Sequence, residues 1–139
     1  MADIPTYRSL KVASKTSAST GVWKGLLREL EANSFDQEAV FAVHLALEEG
    51  FVNAVKHGNR MDAGKIVTID YSVSREKVEV SITDEGEGFD PSKVPDPRFG
   101  ENIYKTSGRG LLLIRSYMDL AEYNERGNSL HMVKYRKGR

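Results

Sequence analysis

Three short clusters in this chain bring together residue types that can do chemistry. The first is Glu48-Glu49-Gly50-Phe51-Val52-Asn53-Ala54-Val55-Lys56-His57-Gly58. On a helix, residues four apart lie one above the other, so Glu49 and Asn53 can turn a carboxylate and a carboxamide toward one ligand. The carboxamide offers a neutral oxygen to a hard cation such as Mg²⁺. The carboxylate can take a proton from water or a hydroxyl group. Alone, such a pair is more often just a solvated helix face.

The second cluster is Asp84-Glu85-Gly86-Glu87-Gly88-Phe89. Asp84 continues the phase of Val78, Val80 and Ile82 and so points to the face those residues bury. A buried carboxylate is costly without a partner. An adenine amino group is a suitable one, because it donates where a carboxylate only accepts. Gly86 and Gly88 let the backbone turn sharply and come close to a ligand, although Asp and Gly also suit an ordinary strand-ending turn. The spacing superficially matches a calcium loop, but the twelfth position from Asp84 is Pro95 rather than Glu, and no helix precedes it, which excludes calcium. The third cluster is Ser107-Gly108-Arg109-Gly110-Leu111. Backbone amides at a helix start attract anions, and glycines let phosphate approach; Lys105 and Arg109 add positive charge. A flexible loop capped by Ser107 has the same composition. No Gly-x-x-x-x-Gly-Lys-Ser/Thr phosphate loop occurs, and no Gly-x-Gly-x-x-Gly follows an early strand.

The elements that must hold these clusters follow from periodicity. Tyr7 to Val12 reads as a strand. Thr20 to Ala32 reads as a helix, with Val22, Trp23, Leu26, Leu27 and Leu30 at helical spacing. A second helix, capped by Ser34 or Asp36, runs to about His57 and stops at Gly58-Asn59; Val40, Val43, Leu47, Phe51 and Ala54 form its apolar stripe. Lys65 to Val73 and Lys77 to Asp84 alternate as an antiparallel hairpin. Glu85 to Ser107 is a long irregular loop, of the kind that is usually functional or mobile. A short helix, Gly110 to Met118, precedes a last hairpin of Leu120 to Glu125 and Ser129 to Arg136. This order predicts an α+β fold: a two-layer sandwich of helices on a mixed, mostly antiparallel sheet.

Composition narrows the function classes. The 139 residues suit one domain, 1–139. Lys+Arg and Asp+Glu are both 20, so no basic excess points to direct nucleic-acid binding. Cysteine is absent, which fits a reducing compartment. The first residues carry no export signal, and no apolar run approaches the roughly 20 residues of a membrane span. A cytoplasmic protein without membrane attachment is expected.

Taken together and in this order, the clusters resemble the N, G1 and G2 boxes of the GHKL ATPases, the superfamily that includes histidine kinases and gyrase. Glu49-x-x-x-Asn53 with Lys56-His57-Gly58 looks like the N box, Asp84-x-Gly86-x-Gly88 like the G1 box, and Gly108-Arg109-Gly110-Leu111 like the G2 box. The resemblance covers about Tyr7 to Arg136. The compact length, the His-Gly and the Gly-Arg-Gly-Leu are most similar to the branch of anti-sigma regulatory factors with serine/threonine kinase activity.

That resemblance implies a histidine-kinase-like ATPase fold and ATP with Mg²⁺ as cofactors. Asn53 would coordinate Mg²⁺, Glu49 would be the general base, and Asp84 would bond the adenine amino group. Gly86 and Gly88 would give the nucleotide room. Lys105, Ser107, Gly108, Arg109, Gly110 and Leu111 would form the phosphate side, with Glu85 to Ser107 as a lid. His57 would contact the lid or serve structure, and the chain has no room for a phosphoacceptor helix pair. The family's adenine-side threonine falls at Asn128 or Ser129. The implied partners are a sigma factor and a STAS-type anti-anti-sigma protein phosphorylated on serine, with a homodimer plausible. Two other roles remain open at this level: a nucleotide-dependent binding module with negligible catalysis, and an ATPase unit of a larger machine.

Overall fold

The computed structural model describes residues 7–86 and 105–137, with the backbone alone at 105–110. The chain runs β1 (Arg8–Ala13), a 3₁₀ turn (Thr16–Ser19), α1 (Lys24–Ala32), α2 (Gln37–Asn53), a π-helical turn (Ala54–Gly58), β2 (Ile66–Val73), β3 (Lys77–Thr83), α3 (Lys105–Tyr117), β4 (Leu120–Tyr123) and β5 (Ser129–Tyr135). The five strands form one sheet in the order β1-β2-β3-β5-β4. The α+β sandwich is as expected, but among the described residues every neighbouring pair is antiparallel, so the sheet is not mixed. The reason lies in the connections. α3 carries the chain past the sheet to the edge strand β4, and the hairpin turn brings β5 back into the gap beside β3.

Strand alternation places Val67, Ile69 and Tyr71 of β2, Val78, Val80 and Ile82 of β3, and Leu130 and Met132 of β5 in the core. They share it with Leu26 and Leu30 of α1, Val43, Leu47 and Phe51 of α2 and Ile114 of α3. Each such side chain contributes about 1.5–3 kcal/mol on burial. α2 is the central helix. Ala46, Gly50 and Asn53 are buried as well as the expected stripe, because the sheet covers one side while α1 and α3 flank it. Gly50 marks the closest approach to the sheet, since a Cβ there would lie 2.9 Å from Ile82 Cδ1.

Two helix starts differ from expectation. The first helix begins at Lys24 rather than Thr20, because Gly21 adopts φ 82° and breaks the helical path. α3 begins at Lys105 rather than Gly110, so Ser107 to Gly110 lie within its opening turns and not in a loop before it. Asp36, not Ser34, caps α2: its Oδ1 accepts the Ala39 N–H at 2.8 Å, whereas Ser34 sits at φ 67° and closes the turn after α1.

Candidate active site

The exit of α2 and the exit of β3 meet, and there Gly58, at the end of the first cluster, lies against Asp84 and Gly86 of the second. The helix changes at Ala54 to π hydrogen bonding, with Asn59 N–H donating to Ala54 O at 2.8 Å. Single π turns often occur at functional sites. Here the wider turn brings Gly58 against the Asp84 side chain. A Cβ on Gly58 would lie 2.8 Å from Asp84 Oδ1 and closer still to Oδ2 and Cγ. A Cβ on Gly86 would strike the Gly58 carbonyl and come within 3.0 Å of Asp84 Oδ1. The two glycines therefore make room first for each other and for the carboxylate between them.

Asp84 is buried, at 7% exposure, as its strand phase predicts. Its Oδ1 accepts the Gly86 N–H at 2.8 Å. Burial pushes its carboxyl above the usual range, while the Gly86 N–H and the charges of Lys65 and Arg126 pull the other way. A carboxylate held this way has acceptor capacity left over, which suits a donor such as an exocyclic amino group. Tyr123, which sequence reading missed, adds to this wall: burial first and then the Asp84 charge push its hydroxyl up to about 12. Its signal was the alternation with buried Ala121 two residues earlier.

Asn53 is the last residue of α2, immediately before the π turn that ends at Gly58. It is 5% exposed rather than on a solvated face. Its Nδ2 has no hydrogen-bond partner among the described residues. An orphaned buried amide is costly, and a carboxamide can both donate to a phosphate oxygen and offer its own oxygen to a cation. The group thus fits the expected nucleotide and Mg²⁺. Among the described residues no group of three or more His, Cys, Asp or Glu forms a metal site, so Mg²⁺ would rely on phosphate and water oxygens beside Asn53, as that ion commonly does.

The neighbouring glutamates divide in role. Glu48 is engaged: Trp23 Nε1–H donates to its Oε2 at 3.1 Å, and His44 Nε2 lies 3.5 Å from the same oxygen. Glu49, one turn before Asn53 and half-buried, has no hydrogen-bond or ion-pair partner among the described residues, which leaves it open to a substrate proton. His57 is exposed on the π turn; partial burial and then Lys56 hold its imidazole below the ordinary value.

At the expected adenine side, Asn128 and Ser129 differ in their partners. Ser129 Oγ pairs with Thr83 Oγ1 at 2.7 Å, in register with a residue whose neighbours Ile82 and Asp84 face inward. Asn128 instead binds Asp84 through its backbone O, which accepts the Asp84 N–H at 2.9 Å. Leu111 packs partly buried against the core. Gly88 and residues 87–104 of the expected lid, Glu85 to Ser107, lie outside the described residues, as do the side chains of Lys105, Ser107, Gly108, Arg109 and Gly110; the last three lid residues are helical, in α3. A groove of roughly 630 Å³ lined by Phe41, Tyr117, Tyr135 and Lys137 lies at the opposite end of α2 and contains none of the expected site residues. Among the described residues no helix is long and apolar enough to cross a membrane.

Comparison with known proteins gives the family and the fold. The family described as histidine kinase-like ATPase domain matches residues 12–134. The serine-protein kinase RsbW of Listeria innocua is 31% identical over 108 residues, covering 73% of this chain and 69% of that protein. The serine-protein kinase RsbW of Bacillus subtilis is 32% identical over 101 residues, 68% of this chain and 63% of that protein. The anti-sigma F factor of Clostridium perfringens is 24% identical over 103 residues, 72% and 74% of the two chains. The crystal structure of the RsbU and RsbW domains of Rv1364c from Mycobacterium tuberculosis superposes with a TM-score of 0.61 at 16% identity, over 95% of this chain and 32% of that one, which is a likeness of fold.

Proposed function

This chain belongs to the histidine kinase-like ATPase family, and from that premise we propose that it is an ATP-dependent serine/threonine protein kinase that also serves as an anti-sigma factor in the cytoplasm. The observation that carries the reading is Asn53: a buried carboxamide with an unpartnered nitrogen, between an unengaged carboxylate one turn earlier and a buried Asp84 at the helix exit. ATP would be the phosphoryl donor, and Mg²⁺, when bound, would offset charge on its phosphates. Asp84 accepts from the adenine amino group and fixes the base. Asn53 would hold Mg²⁺ through its carboxamide oxygen. Glu49 takes the proton from a serine hydroxyl of a STAS-type anti-anti-sigma partner as the phosphoryl group transfers. Lys105, Ser107, Gly108, Arg109, Gly110 and Leu111 would form the phosphate side, as the resemblance implies, at the start of α3, where the helix dipole favours anions.

Phosphorylation adds roughly −1.5 to −2 charge to the partner, enough to release a docked interface. The released kinase is then free to hold the sigma factor, which is partner switching.

The test is calorimetric titration of ATP and ADP, with and without Mg²⁺, on the wild type and on Asp84→Asn. Saturable binding that needs Mg²⁺ for full affinity and weakens at least about ten-fold in the variant is expected, since a bond to a charged acceptor is worth about 1.5–3 kcal/mol. No binding at millimolar nucleotide would leave the chain a nucleotide-independent binding domain.

A further inference from the structure

Asn59, which sequence reading treats only as part of a helix stop, is fully buried. Its Nδ2 donates to Ser14 Oγ at 3.0 Å and to Ile66 O at 3.2 Å. Its Oδ1 accepts the Glu85 N–H at 2.7 Å. Glu85 completes a ring, because its Oε1 accepts the Ile66 N–H at 2.6 Å. The three residues form a closed cycle: Asn59 to Ile66, Ile66 to Glu85, Glu85 to Asn59.

The cycle sits where a ladder should have continued. β2 and β3 pair in register from Val73↔Val78 to Thr68↔Thr83. Two residues further on, the same register would set Ile66 opposite Glu85. Instead, side chains of Asn59 and Glu85 take the Ile66 N–H and C=O. β3 is thereby released from β2 one residue before Asp84, while its other side stays tied to the last turn through Asp84 N–H to Asn128 O. The diverging segment is Asp84–Gly86, and it diverges toward the helix exit at Gly58.

We infer that Asn59 is the positioning residue of the nucleotide site: by ending the β2–β3 ladder and holding Glu85, it aims the Asp84 carboxylate at the base. The inference rests on the reading of Asp84 as the base-binding group. Asn59 itself touches no ligand; it acts through Glu85 on the direction of the preceding side chain. Outer partners that orient metal ligands control about 10- to 100-fold in affinity, and an effect of at least about ten-fold is expected by the same logic.

The experiment measures binding of ATP and of purine riboside triphosphate, which lacks the exocyclic amino group, to full-length wild type, Asn59→Ala, Asp84→Asn and the double variant. Leu27→Ala, a partly buried core change on α1 at a residue outside the expected site, controls for lost stability. The wild type should prefer ATP by about ten-fold or more. Asn59→Ala should bind ATP at least about ten-fold more weakly, with little change for the analogue, so that the preference collapses. Asp84→Asn should add little further loss in that background. Leu27→Ala should melt earlier yet keep the preference. An Asn59→Ala protein that is folded and keeps the wild-type preference overturns the inference while leaving the kinase reading intact. A wild type that binds both nucleotides equally removes the assignment of Asp84, and the inference falls with it. If Asn59→Ala does not fold, Asn59→Leu keeps roughly the volume and removes all three bonds, including the one from Glu85 N–H. It is expected to lose the same preference, and a folded Leu variant that retains it would refute the role.

Discussion

Replacing Gly58 with alanine sets two physical effects against each other. In a helical turn alanine is ordinarily better than glycine by about 1 kcal/mol. At this position the new methyl group would lie 2.8 Å from Asp84 Oδ1 and nearer to Oδ2 and Cγ, where ordinary contact begins at 3.4 Å. Asp84 has little freedom to yield: its side chain is short, buried and held by the Gly86 N–H. Overpacking of this kind costs about 1–3 kcal/mol, and the rigidity of the neighbour puts Gly58→Ala at the upper end. The expected net loss is about 2 kcal/mol after the helix gain, or roughly 5–8 °C in Tm for a domain of this size. Relief by moving Asp84 would also cut nucleotide affinity. Thermal melts and ADP titration read both effects. The double variant Gly58→Ala with Asp84→Ala removes the atoms in the way and should recover most of the lost stability, giving a coupling of about 1–3 kcal/mol between the sites. A Gly58→Ala protein that melts higher than wild type and binds ADP unchanged would refute the proposed packing of helix exit against strand exit.

Other outcomes follow from the same geometry. Because burial raises the Asp84 carboxyl above 3.8, the folded state binds more protons than the unfolded chain between that value and the raised one. Its contribution is full below 3.8 and is lost as pH rises through the raised value. Asp84→Asn should therefore flatten this fall, making the ligand-free variant more stable than wild type near neutral pH in melts across a pH series. Glu49→Gln should keep ATP affinity within about three-fold but slow phosphotransfer to a serine-bearing partner by about 100-fold or more; equal rates would strip Glu49 of the base role. Asp36→Ala removes the cap of α2 and should cost about 1 kcal/mol in denaturant unfolding without altering nucleotide affinity.

The parts of this architecture that were legible in the sequence are those set by local period. Alternation through Val78, Val80 and Ile82 located β3 and placed Asp84 inward, and both hairpins are found close to their expected bounds. A single apolar stripe does not show how many neighbours a helix has. Asn53 therefore read as solvent-facing, although the crowding around α2 buries it; mid-helix Gly50 was the available sign of a close sheet. Gly21 was invisible as a break because the apolar spacing of Val22 and Trp23 continues across it. Asn59 was hidden for a different reason. Its three partners are 45, 7 and 26 residues away in sequence, and no local pattern encodes a bond network closed by tertiary contact. The Gly86 role shifted likewise: the residue type announced a need for space, and only the fold says that Gly58 fills it.

Trp23 is the sole tryptophan. It stands edge-on to Phe51 with centroids 6.1 Å apart, and its indole N–H rests on Glu48, the residue before Glu49. Its emission therefore comes from one shielded place beside the middle turns of α2. Any event that shifts those turns, such as cation capture at Asn53 or a hydroxyl docking on Glu49, should change the colour or yield of that light. The chain carries its own optical gauge, and the order of nucleotide and partner arrival can be timed in a stopped-flow cell without attaching a dye.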